Sequence, residues 1–165
     1  MASTLTVDNI VGATTAGNIT LPSGYPVQVK SHAFDNTTNI TSTSSFVDVT
    51  GSSFTFTPRN ANNTIIISTN SYVRHDNASN NGGMLRFNFG GTASAATSAY
   101  GVYLDGTSNR YVTYGLTSIF TAGTTNATTI KLQGKLYTGG NFWVNWSNTT
   151  GGNFESNITV MEIAQ

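Results

Sequence analysis

The chain has 165 residues, enough for one domain that buries roughly 70% of its unfolded surface. Only 8% of its residues are charged and its formal net charge is +0, which leaves no electrostatic footprint for nucleic acid or an anionic membrane surface. Cysteine is absent, so no disulfide framework exists, while 11% aromatic residues supply the apolar surface that a disordered Thr/Ser/Asn/Gly-rich chain would lack.

Residues 1–24 read as an extended arm. Leu5, Val7, Ile10 and Val11 are apolar but are set among Thr, Ala and Gly. A segment this short cannot bury them by itself, so they are expected to dock on the main domain, on another copy or on a larger partner. An N-terminal strand of the sheet is the competing reading. The opening MASTLTVDN lacks the basic and apolar regions of a secretory signal, and no later run approaches membrane-spanning length. The chain is therefore expected to fold in a cytoplasm.

The remainder, 25–165, is expected to be one β domain. After the Pro22 to Pro26 turn, Val27 and Val29 alternate with Gln28 and Lys30 in a strand running toward Phe34, followed by a polar loop from Asp35 to Ser45. The stretch from Phe46 to Val73 is the most legible part. Phe54 and Phe56 alternate with Thr55 and Thr57, Pro58 closes that run, Arg59 to Asn63 forms a polar reversal, and Ile65 and Ile67 alternate with Ile66 and Ser68 as far as Tyr72. This predicts strand, reversal, strand.

Asp76 to Gly83, containing Asn81-Gly82, reads as a turn region, and Leu85, Phe87 and Phe89 then mark a half-buried strand. Gly90 to Ala99 reads as loop. Tyr100 to Leu104 and Arg110 to Leu116 flank an Asp-Gly-containing linker and are expected to pair as a hairpin. Ile130, Leu132 and Leu136 mark a strand, Gly139-Gly140 a turn, Phe142 to Trp146 its expected partner, and Asn157 to Ile163 the last strand. Short strands at about 8 to 12 residue intervals, with no helical period, predict an antiparallel β-sandwich, jelly-roll-like. Phe54, Phe56, Leu85, Phe87 and Trp146 are the expected core residues.

No catalytic or metal constellation emerges. The seven carboxylates and two histidines are scattered, and His75-Asp76 reads as an ordinary surface pair, because neighbouring strand residues point to opposite faces. Gly82-Gly83, Gly90-Gly91, Gly139-Gly140 and Gly151-Gly152 lack the Lys and helix of a phosphate loop and read as turns. No cofactor and no enzymatic activity are expected. Trp143 falls on the face opposite Trp146, where an exposed ring could pack against a neighbouring subunit, stack on a sugar, or lie beneath the Asp35 to Ser45 loop.

Three segments together, STLTVDNIVGATTAGNITLPSGYPVQV, SFVDVTGSSFTFTP and NITVMEIA, resemble small structural proteins of tailed bacteriophages, especially those of cyanobacteria and other aquatic bacteria. The resemblance implies a virion protein assembled in the host cytoplasm. It also implies a trimeric β knob carried by an N-terminal attachment segment, serving as a capsid decoration or short fibre. The implied docking partners of Leu5, Val7, Ile10 and Val11 are the major capsid protein or a tail adaptor. The alternative it leaves is a tail-fibre tip whose loops touch host surface glycans.

Overall fold

The computed structural model describes residues 23–75, 81–96, 102–104, 110–137, 140–146 and 154–165. These form strands β1 (Pro26–Phe34), β2 (Thr38–Ile40), β3 (Val47–Asp48), β4 (Phe54–Phe56), β5 (Thr64–His75) and β6 (Asn81–Phe89) in the first half of the chain. The second half contributes β7 (Thr92–Ala93), β8 (Val102–Leu104), β9 (Arg110–Thr121), β10 (Thr128–Leu136), β11 (Phe142–Val144) and β12 (Ser156–Ile163). The arm, with Leu5, Val7, Ile10 and Val11, lies outside the described residues up to position 22. At the arm's end, the Gly24 amide donates to the Ala164 carbonyl at 2.9 Å and the Ala164 amide to the Tyr25 carbonyl at 2.9 Å, so the chain enters the domain beside its C-terminus.

Every pairing is antiparallel, and the strands form two six-stranded sheets. One has the order β1-β12-β5-β11-β2 with β9 on the other side of β5; the second has β3-β10-β6-β7, with β4 also on β10 and β8 also on β6. Setting aside the short β2 and β11, and joining β3 with β4 and β7 with β8, leaves principal strands in the orders first-eighth-third-sixth and second-seventh-fourth-fifth. That is the jelly-roll arrangement expected from the strand spacing. The inner faces meet in one core, in which Phe56, Phe87, Phe142, Ile65, Ile67, Leu85, Ile130, Leu132, Leu136 and Ile158 are fully buried.

This topology corrects several local expectations. Phe54–Phe56 and Thr64–His75 do not pair with each other, because β4 joins β10 and β5 lies in the opposite sheet. The expected hairpin of Tyr100 to Leu104 with Arg110 to Leu116 is likewise split: β8 pairs β6, and β9 pairs β5. The partner of Phe142 to Trp146 is not β10; β11 inserts between β5 and β2. In a jelly roll most connections cross from one sheet to the other, and alternation along a strand carries no record of which sheet receives it. The expected loops at Asp35 to Ser45 and Gly90 to Ala99 contain the short strands β2 and β7, and Gly82-Gly83 lies inside β6, not in a turn.

Gly83 sits within β6 because no side chain fits there: a Cβ would lie 2.6 Å from the Phe142 ring. Gly90 and Gly91 do make the expected turn, at φ 58° and 94°, which glycine adopts at no steric cost.

The sandwich is tied shut along β1 by side chains reaching across to the other sheet. Gln28 Nε2 donates to the Thr57 carbonyl at 2.9 Å, Lys30 Nζ to the Thr55 carbonyl at 2.7 Å, and His32 Nε2 lies 2.7 Å from the Gly51 carbonyl. Glu162, fully buried on β12, anchors the loop between β4 and β5. Its carboxylate accepts from Gln28 Nε2, from the Arg59 and Asn60 amides and from Asn63 Nδ2.

Candidate interaction surface

The two sheets present outer faces of different chemistry. On the β10 sheet, Lys131 Nζ pairs with Asp48 at 2.6 Å, Gln133 bridges Asp48 and Arg86, and the guanidinium of Arg86 lies 4.0 Å from the Phe46 ring centroid, with Lys135 5.7 Å away. Burial pushes the Asp48 carboxyl up. The hydrogen bonds from Lys131 and Gln133 and the Lys131 charge outweigh it and hold the group below its ordinary value of 3.8. This is a solvated, ion-paired surface.

The β5 sheet is different, because its outer positions form rows across the strands that can be read from the pairing register. Val29, Met161, Ile66 and Ile119 make an apolar row, and Ser31, Thr159, Ser68 and Thr117 a hydroxyl row. Ala33, Asn157, Asn70 and Gly115 make a third, uncharged row. Arg74 is the one charged residue among the outward positions described on β1, β12, β5 and β9. Ile119 is 70% exposed and Val29 57%.

Beyond the third row lies an aromatic end. The Tyr72 ring stacks on Phe154 with centroids 3.8 Å apart and lies 6.2 Å from Tyr111. Tyr111 in turn is 5.6 Å from Trp146, whose ring sits 4.0 Å beneath the Arg74 guanidinium. Such an arrangement spreads the Arg74 charge over an aromatic face in place of a carboxylate.

Trp146 therefore is not a core residue, contrary to the alternation of Phe142, Val144 and Trp146. The two-residue period breaks at Asn145, a buried residue at φ 53°, one of the few types that enter the left-handed region. Asn145 is held there by its amide donating to the Tyr72 carbonyl at 2.9 Å, by Nδ2 donating to the Phe34 carbonyl at 2.8 Å and by the Ser156 hydroxyl donating to Oδ1. The chain leaves β11 at that point, and Trp146 turns outward. Trp143 does lie on the outer face as expected, half-buried between Arg74 of β5 and Asn39 of β2. Its Nε1 is buried with no hydrogen-bond partner among the described residues, and the same holds for Arg74 Nε.

Of the other expected core residues, Phe56, Leu85 and Phe87 are buried, whereas Phe54 is only partly so and stacks on His32 at 4.8 Å. His75 is not a surface residue. The inward positions of β5 are odd-numbered through its full length, so His75 follows Val73 into the interior and stacks on Phe142 at 4.8 Å. Asp76 lies outside the described residues. Among the described residues no three His, Cys, Asp or Glu side chains gather as a metal site would require. The sequence signal that could have revealed the outer face was the company kept by the inward residues: Ile66, Ser68, Asn70 and Tyr72 alternate with Ile65, Ile67, Thr69 and Ser71 without a single charge.

The chain is thus an all-β protein of two packed antiparallel sheets, with an uncharged outer face on one of them. No known protein family matches the sequence, and no curated protein matches it. Among solved structures, dimeric latent PorU from Porphyromonas gingivalis is similar at a TM-score of 0.45 and 10% identity, over 94% of this chain and 14% of that one. A chain in the structure of infectious bursal disease virus, Gx strain, is similar at a TM-score of 0.41 and 13% identity, over 99% of this chain and 44% of that one. This chain spans less than half the length of either, and likenesses at this level assign no function.

Proposed function

We propose that this chain is a non-enzymatic structural protein of a tailed-bacteriophage virion. In this reading it is a homotrimeric β knob, carried by its N-terminal arm on the major capsid protein or a tail adaptor, and serves as a capsid decoration or short fibre. The observation that carries the reading is the division of charge between the two outer faces. The β10 sheet bears Lys131, Lys135, Arg86 and Asp48, as a surface facing water does. The outward rows of the β5 sheet offer apolar, hydroxyl and amide groups that protein–protein contacts bury without desolvating charge. The three sequence segments that resemble phage structural proteins point the same way. Among the described residues, the titratable side chains buried in the interior are Glu162, which holds a loop, and His75, which stacks on Phe142.

Light scattering of the purified chain tests the assembly and should give about three times 17.4 kDa; a monomer at micromolar concentration overturns it. Deleting residues 1–24 tests the anchor. The truncated chain should melt at nearly the full-length temperature yet no longer sediment with virions, whereas unfolding or retained co-sedimentation refutes an anchoring arm.

A second reading, host-glycan recognition, is favoured by the aromatic end of the same face, since Tyr111 and Trp146 beside Arg74 combine ring surface with donors, as sugar sites do. Competable binding on a glycan array, abolished by Trp146→Ala, would establish it.

A further inference from the structure

Among the described residues, the charge on the outer face of the β5 sheet has no counter-charge. The Arg74 guanidinium lies 4.0 Å from the Trp146 ring centroid and 5.9 Å from that of Tyr111, while the ion pair among the described residues is Lys131 with Asp48, on the other sheet. Glu155, exposed next to Phe154, forms no ion pair with it. Arg74 Nε is buried without a hydrogen-bond partner among the described residues, and so is Nε1 of Trp143, which stands opposite Arg74 in the pairing of β11 with β5. A buried N–H without an acceptor is costly, and native proteins keep few of them. Two on paired residues, beside a cation without a carboxylate, make this end of the sheet short of acceptors.

The surroundings suit a sugar. Tyr111 is 42% exposed and offers an aromatic ring to the C–H face of a saccharide. In the adjoining row of short side chains, Asn70 and Asn157 are exposed, and their amides both donate to and accept from hydroxyl groups. The place in the fold agrees. The arm enters beside Ala164, at the end of the sheet where Thr64 pairs with Thr121, whereas Arg74 is next to the last residue of β5. That strand is twelve residues long, which sets its two ends about 35 Å apart. A knob held by its arm therefore carries Arg74 at the end away from the anchor.

We propose that the aromatic end of the β5 sheet binds an acidic sugar, with the sugar's carboxylate on the Arg74 guanidinium and its ring against Tyr111. At 4.0 Å the Trp146 ring takes one face of the guanidinium, and the N–H donors at the guanidinium's edge form a planar fork that matches the two oxygens of a carboxylate. One arginine balances one such charge, and the carboxylate supplies the acceptors that this end lacks. Neutral sugars share the ring contact and the amides but leave Arg74 without its counter-charge. The inference rests on the host-glycan reading of this face and names the class of sugar.

The chain's two tryptophans, Trp143 and Trp146, are both at this end, so intrinsic fluorescence reads the site directly. The full-length chain is applied to an array of carboxylated, sulfated and neutral glycans, and the carboxylated glycan bound most strongly is then titrated against tryptophan fluorescence beside the same glycan with its carboxyl groups reduced to alcohols. The acid form should shift the fluorescence and bind about 10- to 100-fold more tightly than the reduced form, the usual worth of a hydrogen bond to a charged group. Arg74→Gln should erase that difference, and Lys135→Glu, on the opposite sheet, should preserve it. Binding to neutral or sulfated glycans alone, or equal affinity for the acid and reduced forms, overturns the acidic sugar and leaves the host-glycan reading standing; binding to no glycan overturns both. A preference that survives Arg74→Gln, is lost in Lys135→Glu, or comes without a fluorescence change refutes this site. The acid and reduced forms are compared on the unmodified chain, so the proposal is decided even where Arg74→Gln does not fold.

Discussion

Replacing Glu162 with Ala should destabilise the domain by about 3 kcal/mol. The carboxylate is fully buried and collects the Arg59 amide on both oxygens at 2.9 and 3.1 Å, the Asn60 amide at 3.2 Å, Asn63 Nδ2 at 2.7 Å and Gln28 Nε2. Asn63 is itself buried, so its amide group would be left without an acceptor, at about 1–3 kcal/mol. Arg59 and Asn60 lie on an exposed loop whose amides can turn to water, which limits their joint loss to about 1–2 kcal/mol, below the usual worth of bonds to a charged group. Relief of the desolvation that burying a carboxylate costs works in the opposite direction and keeps the sum near 3 kcal/mol. For a chain of this length that corresponds to a fall in melting temperature of about 6–12 °C. Glu162→Gln retains one acceptor oxygen but turns an NH2 toward one set of donors, and should lose roughly half as much. Urea unfolding at neutral pH measures both, with an unchanged slope confirming that the folded states are comparable. A loss below about 1 kcal/mol for Glu162→Ala would refute the reasoning, because it would mean that desolvation of the carboxylate cancels its five contacts.

Phe87→Ala, at a fully buried position on β6, should lose about 3–5 kcal/mol in the same assay, and a near-zero loss would show that β6 does not face the core as described. Gly83→Ala should lose about 1–3 kcal/mol by forcing a methyl onto the Phe142 ring, and Phe142→Leu in the same chain should recover part of it. The lowered Asp48 pKa means that its carboxylate contributes stability present above the unfolded value, near 3.8, and lost as the pH falls through the folded one. Asp48→Asn should therefore flatten the acid limb of the stability profile and leave the neutral region nearly unchanged, as expected for a pair exposed to solvent.

The period of two was legible wherever one face of a strand meets the core. Leu85, Phe87 and Phe89, or Ile65 and Ile67, alternate with less buried neighbours because a pleated chain sends successive side chains to opposite sides. The same alternation, carried past the end of β11, misplaced Trp146, since nothing in the run Phe142 to Trp146 announces that Asn145 enters the left-handed region. That conformation is stabilised by Phe34, Tyr72 and Ser156, residues far away in the chain. His75 was misplaced for a similar reason: a histidine beside an aspartate reads as solvent-exposed until the Phe142 ring is brought over it from another strand. Trp143 was placed on the correct face, because only local parity was needed. The expected docking residues Leu5, Val7, Ile10 and Val11 lie outside the described residues.

By itself, then, the sequence determined that the chain folds as short antiparallel strands around an aromatic and aliphatic core, and that few of its residues are charged. These follow from composition and from side-chain parity, which are properties of each segment alone. Only the tertiary structure decided which strands share a sheet, that Lys131, Lys135, Arg86 and Asp48 meet on the outer face of the β10 sheet while Arg74 is the one charge in the described outward rows of the β5 sheet, and that β9, among the described residues, pairs with β5 alone. Those features depend on which segments cross the sandwich, and that choice is made by the packing of the two inner faces against each other, a relation between residues distant in the chain that no local pattern encodes.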